Sequence, residues 1–155
     1  AMANVAGLLA KKGPRVHCVS PGTTVLEAVQ LMARHRIGAL VVTIDDYSHS
    51  LELADRVVGM FTERDVLTRV VGEERSPATT LVEDVMTTDI AYCEPDMAIE
   101  EVGAIMRKHR IRHLPVCDAD GCLQGLVSIG DLNAWHADGQ ESEIHYLNEY
   151  IHGRM

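Results

Sequence analysis

The sequence predicts an α/β fold, of the α+β type, built from two copies of one helix-and-strand unit. The first observation behind this prediction is an internal repeat: Pro21 recurs as Pro95, and the tripeptide His-Arg-Ile at 35–37 recurs at 109–111, both at an offset of 74 residues. The second observation is that each copy alternates a helical apolar period with β-branched runs typical of buried strands. A chain of 155 residues is long enough to bury a core shared by two such units.

The first copy is predicted to begin with a helix over residues 24–35, whose apolar side chains recur at i, i+3, i+4 and i+7. Thr23 or Thr24 is the expected N-cap. Beyond the first strand the offset falls to 66 residues, because the first copy carries eight extra residues within 45–52, which we expect in a surface turn. Two strands and a second helix are predicted at 40–44, 57–62 and 63–71.

The second copy repeats this order after a polar linker at 73–77. Its strands are joined by the tight turn that Asp-Ala-Asp-Gly at 118–121 favours. A last segment at 143–151 has an apolar helical stripe, which packs either on the body or on a second copy. The predicted elements of the second copy are a helix at 98–109, strands at 114–117 and 123–128, and a helix at 130–137. The predicted divisions of the chain are an N-terminal segment 1–15, a first motif 16–75, a second motif 76–138 and a C-terminal helix 139–155.

Composition excludes several classes of function. The chain has 14 Lys and Arg against 23 Asp and Glu, a formal charge of −9, so its surface repels nucleic-acid phosphates. No apolar run approaches the ~20 residues of a membrane helix. The N-terminal charges follow the apolar stretch, which is the reverse of a secretory signal. The four cysteines lack C-x-x-C spacing, so we expect reduced thiols and a cytoplasmic protein.

The most informative motif is Gly-x-x-[Thr/Ser]-x-x-Asp, which joins a strand to a helix at 59–65 and again at 125–131. One interpretation is a capping box, in which the hydroxyl and the carboxylate cap the helix. The other is a binding site, because free N–H groups at a helix N-terminus attract phosphate and an Asp one turn later can accept the hydrogens of a ribose diol. The two interpretations are compatible.

The repeated motif, together with the His-Arg-Ile tripeptides and the Leu-Pro-Val strand at 114–116, resembles a tandem pair of cystathionine-β-synthase (CBS) domains, also called a Bateman module. The likeness covers most of the chain and is greatest to stand-alone bacterial CBS pairs. It implies two β-α-β-β-α motifs packed by pseudo-twofold symmetry, with clefts that hold adenine nucleotides: AMP first, and otherwise ADP, ATP, NAD or S-adenosylmethionine. It also implies a homodimer.

The resemblance also implies roles for individual residues. Arg112 and His113 occupy the basic positions before Leu-Pro-Val, whereas the first copy has Gly38 and Ala39 there, so the two clefts are not equivalent. The expected nucleotide-binding residues are Asp65 and Asp131 for the ribose, Thr62 and Ser128 for the phosphate, Lys12 as a further phosphate contact, and Arg64, Arg112 and His113 as basic residues of the clefts.

We therefore expect a regulatory module that senses an adenine nucleotide and modulates a separate partner protein. No activated nucleophile or P-loop is visible, and no histidine pair is joined to a carboxylate in a metal-site spacing, so neither catalysis nor a bound metal is expected. Two alternatives stay open. One is a ligand-free interaction scaffold in which the motifs only cap helices. The other is an enzyme that uses a Cys or His near the cleft.

Overall fold

The computed structural model describes residues 3–13, 16–46 and 54–139. The predicted helices and strands of both copies are present, most with ends shifted by one to three residues. The helices are α1 (Val5–Lys12), α2 (Val25–His35), α3 (Glu63–Asp65), which continues as a π-helix (Val66–Val71), α4 (Val82–Val85), α5 (Ile99–His109) and α6 (Ile129–Gly139). The strands are β1 (Cys18–Val19), β2 (Ala39–Asp46), β3 (Ala54–Thr62), β4 (His113–Cys117) and β5 (Leu123–Ser128).

Each copy contains a small sheet beside its helices, which confirms the α+β prediction, and the first sheet has three strands where the second has two. In the first copy β1 pairs parallel with β2, and β2 pairs antiparallel with β3. In the second copy β4 pairs antiparallel with β5. Cys93 forms a parallel bridge to Val116, at the positions equivalent to Val19 and Val42 in the first copy. The repeat seen in sequence is therefore a β-α-β-β-α repeat in space.

The ends of the long helices follow the predicted chemistry. Thr24 caps α2, its hydroxyl accepting the N–H of Glu27 at 3.2 Å. At the other end, α2 and α5 stop at equivalent arginines, Arg36 and Arg110, which both have a φ of 55° in the left-handed region. Their N–H groups bond carbonyls of the last helical turn, which satisfies orphan acceptors there.

The helix after β3 differs from the regular helix predicted over 63–71. After three α-helical residues it widens into a π-helix, and the Gly72 N–H bonds the Leu67 carbonyl at 2.8 Å. A Cβ at Gly72 would lie 2.9 Å from that carbonyl oxygen, so glycine permits this close approach. Apolar periodicity does not distinguish 3.6 residues per turn from a wider local turn over so short a helix.

The core of each copy includes a short helix from outside that copy's own stretch of sequence. In α1, Val5 and Leu8 are buried against α5 and β4 of the second copy. In α4, Val82 and Val85 are buried against α2 and β2 of the first copy. Each copy is therefore completed by a helix that precedes the other copy in the chain.

The two sheets face each other across a third apolar cluster, in which Val41 and Met60 of the first copy meet Leu123 and Leu126 of the second. The Val57 N–H donates to the Gly121 carbonyl at 3.3 Å across the same interface. Gly121 has a φ of 82° and closes the turn predicted at 118–121. No helix in the described ranges is long and apolar enough to cross a membrane. Of the insertion expected within 45–52 as a surface turn, residues 45 and 46 instead extend strand β2, and residues 47–52 lie outside the described residues. The apolar stripe predicted at 143–151 also lies outside them.

Candidate functional site

A cleft of about 1030 Å³ opens between the two copies on the side where β3 and β5 end. Its apolar floor includes Met60, Ile90 and Ile111. Its rim is polar and comes from both copies, because the N-termini of α3, which follows β3, and of α6, which follows β5, both line it. Six of the eight predicted binding residues line it: Thr62, Arg64, Asp65, Arg112, His113 and Ser128. The other two, Lys12 and Asp131, border a separate depression of about 150 Å³.

The Thr62–Asp65 pair at the start of α3 forms the predicted capping box. Asp65 Oδ2 accepts the Thr62 N–H at 3.0 Å and the Thr62 hydroxyl at 3.2 Å. Its other oxygen, Oδ1, accepts the Thr87 hydroxyl at 2.9 Å, and the Arg69 Nε lies 3.8 Å away. The Asp65 side chain is only 4% exposed. Both carboxylate oxygens are therefore already engaged by the protein.

Sequence reasoning did not find Thr87, which holds Asp65 from 22 residues further along the chain. No local pattern could signal this contact. It exists because α4 packs on the first copy and carries the following residues past the end of β3. There the backbones of Thr87 and Met60 exchange two hydrogen bonds of 2.8 and 2.9 Å.

The Ser128–Asp131 pair at the start of α6 has the same capping geometry but a different environment. Asp131 Oδ2 accepts the Ser128 N–H at 2.8 Å, and the Asp131 N–H donates to Ser128 Oγ at 3.1 Å. Lys12 Nζ lies 2.5 Å from the same Oδ2 and 2.6 Å from the Leu126 carbonyl oxygen. The Asp131 side chain is 22% exposed, and its Oδ1 accepts no hydrogen bond from the described part of the chain. The two aspartates are thus not equivalent.

The cationic groups of the cleft come from both copies. Arg64 reaches across from the first copy, and its Nη2 donates to the Arg110 carbonyl at the end of α5 at 3.4 Å. Arg112 is exposed at the opposite rim. Two acidic residues that the sequence analysis did not single out, Glu63 and Asp89, also line the cleft. The Glu63 carboxylate lies over Gly38, where a Cβ would be 3.1 Å from its Oε1.

His113 lies half-buried at the start of β4, between these charges. Burial and then the neighbouring Arg112 guanidinium lower the pKa of His113 below its usual value, an effect that Asp131 and Glu63 oppose and Lys12 reinforces. The imidazole is therefore neutral at pH 7 and offers one N–H donor. An anion bound beside it would raise its pKa again.

Two of the four cysteines, Cys93 and Cys117, do not have the properties of a nucleophile. Burial, with smaller contributions from neighbouring groups, raises the pKa of Cys93 to about 12 and that of Cys117 to about 11, so both remain protonated thiols. All four cysteines are free of disulfides. Within the described ranges no group of three or more His, Cys, Asp or Glu side chains could hold a metal ion. The high pKa values weigh against a nucleophilic role for Cys93 and Cys117.

Two β-α-β-β-α copies with an inter-copy cleft and a repeated Gly-x-x-[Thr/Ser]-x-x-Asp motif define a tandem-repeat module of the CBS type. The family model described as CBS domain matches the sequence twice, over residues 13–72 and 82–137. The chain therefore belongs to the CBS-domain family.

Three relatives illustrate the likeness. The CBS domain-containing protein YhcV of Bacillus subtilis is 35% identical over 118 residues, which cover 76% of each chain. A solved CBS-domain structure from Burkholderia ambifaria superposes with a TM-score of 0.75 at 39% identity and covers 91% of this chain and 99% of that one. A CBS-domain protein from Pyrobaculum aerophilum, solved in complex with AMP, has a TM-score of 0.68 at 26% identity and covers 83% and 88% of the two chains.

Proposed function

We propose that this CBS pair binds an adenine nucleotide in the inter-copy cleft and, without catalysing a reaction, modulates a separate partner protein. The observation that carries the proposal is the cleft itself. It brings Thr62 and Arg64 of one copy within the same space as Arg112, His113 and Ser128 of the other. Its volume of about 1030 Å³ reaches the upper end of the ~300–1,000 Å³ range of small-molecule sites.

The arginines of the cleft support an anionic ligand at this place. The whole chain carries −9, yet three arginines from the two copies line this cleft and offset the three carboxylates in the same lining. Guanidinium groups recognise phosphate with two parallel hydrogen bonds, and the hydroxyls of Thr62 and Ser128 add donors beside helix N-termini. In this proposal the phosphate lies between Arg64 and Arg112, and His113 donates to it.

In this proposal Asp131 is the ribose acceptor, although it borders the smaller depression beside Lys12 rather than the cleft itself. Its Oδ1 accepts no hydrogen bond from the described part of the chain, whereas both oxygens of Asp65 are engaged. The AMP complex of the Pyrobaculum aerophilum relative supports AMP as the first ligand to test. ADP, ATP and NAD offer the same ribose and phosphate groups and remain in the proposal.

A ligand held by both copies biases their relative orientation, and this is how we propose that binding is communicated. The exposed Leu67 and Val71 of the π-helix, at 66% and 62% exposure, supply an apolar surface that suits the homodimer expected from the sequence. We retain a cytoplasmic location as part of the same proposal.

The test is calorimetric titration of AMP, ADP, ATP and NAD into the full chain and into two arginine variants. Arg112→Gln removes a cation of the cleft, whereas Arg75→Gln removes an exposed arginine of the linker that pairs with Glu73. Losing one charge-assisted phosphate contact is worth about 1.5–3 kcal/mol, so Arg112→Gln weakens binding roughly 10- to 150-fold and Arg75→Gln leaves it unchanged. Equal effects of the two variants would contradict the site.

The second candidate function is the ligand-free scaffold, and one observation favours it. The Thr62–Asp65 and Ser128–Asp131 pairs both form capping interactions from groups of the chain itself. The same titrations decide between the two functions. If no nucleotide binds the unmodified chain, the motifs serve as caps, and the cleft is a feature of the packing of the two copies.

A further inference from the structure

We propose that Lys12 sets the nucleotide affinity and the ribose selectivity of the second copy by competing with the ribose hydroxyls for the Asp131 carboxylate. This inference rests on the proposed nucleotide-binding function and revises the role that the sequence predicts for Lys12. From sequence, Lys12 is expected to contact the phosphate of the ligand. In the structure its ammonium group is bound to the residue expected to contact the ribose.

The contact is specific on both sides. Lys12 Nζ lies 2.5 Å from Asp131 Oδ2 and 2.6 Å from the Leu126 carbonyl oxygen, so two of its three donors are used. Oδ2 also accepts the Ser128 N–H, which leaves it no capacity for a ribose hydroxyl while Lys12 is bound. A 2′,3′-diol that engages both carboxylate oxygens must therefore displace Lys12. An ammonium also reduces the strength of the carboxylate as an acceptor for a neutral hydroxyl.

The position of Lys12 is fixed by the helix that carries it. Lys12 is the last residue of α1, and Val5 and Leu8 of that helix are buried in the core of the second copy. The Leu9 side chain also packs on Gly125, where a Cβ would lie 2.8 Å from it. The helix therefore stays in place while the Lys12 side chain, which is 30% exposed, is free to change rotamer.

The equivalent aspartate of the first copy has no competing ammonium group among the residues that the structure describes. Asp65 receives a neutral hydroxyl from Thr87, and its cationic neighbour is Arg69 at 3.8 Å. The pair of Lys12 and Asp131 is thus particular to the second copy. The pair also lies close enough to act on His113, which lines the cleft: Asp131 raises the pKa of His113 and Lys12 lowers it.

The inference predicts that removing Lys12 strengthens AMP binding, which is the opposite of the usual effect of removing a cation. Removing a lysine near an anion-binding site normally weakens binding of the anion. Here Lys12→Met frees Asp131 while keeping most of the apolar stem, so AMP binds more tightly. A partly exposed ion pair is worth up to about 1 kcal/mol, which corresponds to roughly fivefold in affinity. The gain is larger for AMP than for 2′-deoxy-AMP, because the deoxy ligand lacks one of the competing hydroxyls.

The experiment is calorimetric titration of AMP and 2′-deoxy-AMP into the full chain and three variants. Lys12→Met is the test, and Lys11→Met is the matched control. Lys11 is the adjacent lysine of α1, which pairs with Asp138 at 3.3 Å instead. The double variant Lys12→Met/Asp131→Asn shows whether any gain passes through the carboxylate. Thermal unfolding of each variant reports that it is folded.

The inference holds if Lys12→Met tightens AMP roughly fivefold, raises the preference for AMP over 2′-deoxy-AMP, and loses both effects in the double variant while Lys11→Met shows neither. Weaker AMP binding by Lys12→Met would identify Lys12 as a phosphate ligand and overturn the inference. An unchanged affinity would overturn it too. Failure of the unmodified chain to bind either nucleotide would instead refute the proposed function, and the inference with it.

Discussion

Replacing Thr87 by valine tests how the buried Asp65 carboxylate is stabilised. The Thr87 hydroxyl is 2.9 Å from Asp65 Oδ1, and the Asp65 side chain is 4% exposed, so water does not readily replace the lost donor. Valine keeps the shape of threonine, and the two backbone hydrogen bonds between Thr87 and Met60 do not involve the side chain. The substitution therefore removes one hydrogen bond to a charged acceptor and little else.

A hydrogen bond to a charged group contributes about 1.5–3 kcal/mol, and the partial exposure of Thr87 favours the lower half of that range. We expect Thr87→Val to lower the free energy of unfolding by about 2 kcal/mol. In a chain of this length that corresponds to a fall in Tm of roughly 4–8 °C. The free energy is measured by urea denaturation, with Tm from calorimetry as a second readout.

The adjacent threonine supplies the control. Thr88 is exposed and makes no side-chain hydrogen bond within the described residues, so Thr88→Val changes stability by less than about 0.5 kcal/mol. Combining Thr87→Val with Asp65→Asn measures the coupling, since two residues in one hydrogen bond give non-additive effects. If Thr87→Val and Thr88→Val were equally mild, or if the double variant were strictly additive, the account of Asp65 given above would be wrong.

Two further predictions concern pH and packing. Burial and Arg112 lower the pKa of His113 in the folded chain, so below about pH 6.5 the unfolded chain binds more protons at this residue. The contribution of His113 to the free energy of unfolding is therefore present above the unfolded pKa of about 6.5 and is lost as the pH falls through the lower folded pKa. His113→Gln should flatten the stability difference between pH 5.5 and 7.5, and an unchanged slope would contradict the assignment. Gly59→Ala should destabilise by about 1–3 kcal/mol in urea, because its Cβ would lie 2.8 Å from Met86 Sδ and 2.9 Å from the backbone of the next residue. Gly22→Ala, where a Cβ meets nothing within 4 Å, should leave stability nearly unchanged.

Local chemistry explains why much of the fold could be predicted. The strand at 123–128 has the predicted ends, and α2 begins after the predicted cap Thr24. The capping interactions at Thr62 and Ser128 involve residues three positions apart, so the sequence contains all of their determinants. The π-helix was not predicted, because its widened hydrogen bonding depends on the close approach at Gly72 rather than on apolar spacing.

The candidate site was predicted as a set of residues but not as an arrangement. Sequence symmetry treats Asp65 and Asp131 as equivalents with one role. The structure distinguishes them, because Thr87 reaches one and Lys12 reaches the other. Both partners are far away in the chain, so their contacts depend on how α4 and α1 pack.

By itself the sequence determined the repeat, the type and order of the elements, the turn at 118–121, the capping motifs and the family. Each of these depends on residues close together in the chain or on comparison of one copy with the other. Only the tertiary structure decided that α1 completes the core of the second copy and α4 that of the first. That exchange brings Lys12 to Asp131 across 119 positions of sequence. The physical reason is that the hydrophobic effect is non-directional, so a helix packs wherever its apolar face is buried, whether or not the residues that cover it are near in sequence. The polar residues at the end of that helix are then placed beside residues that no local sequence pattern specifies.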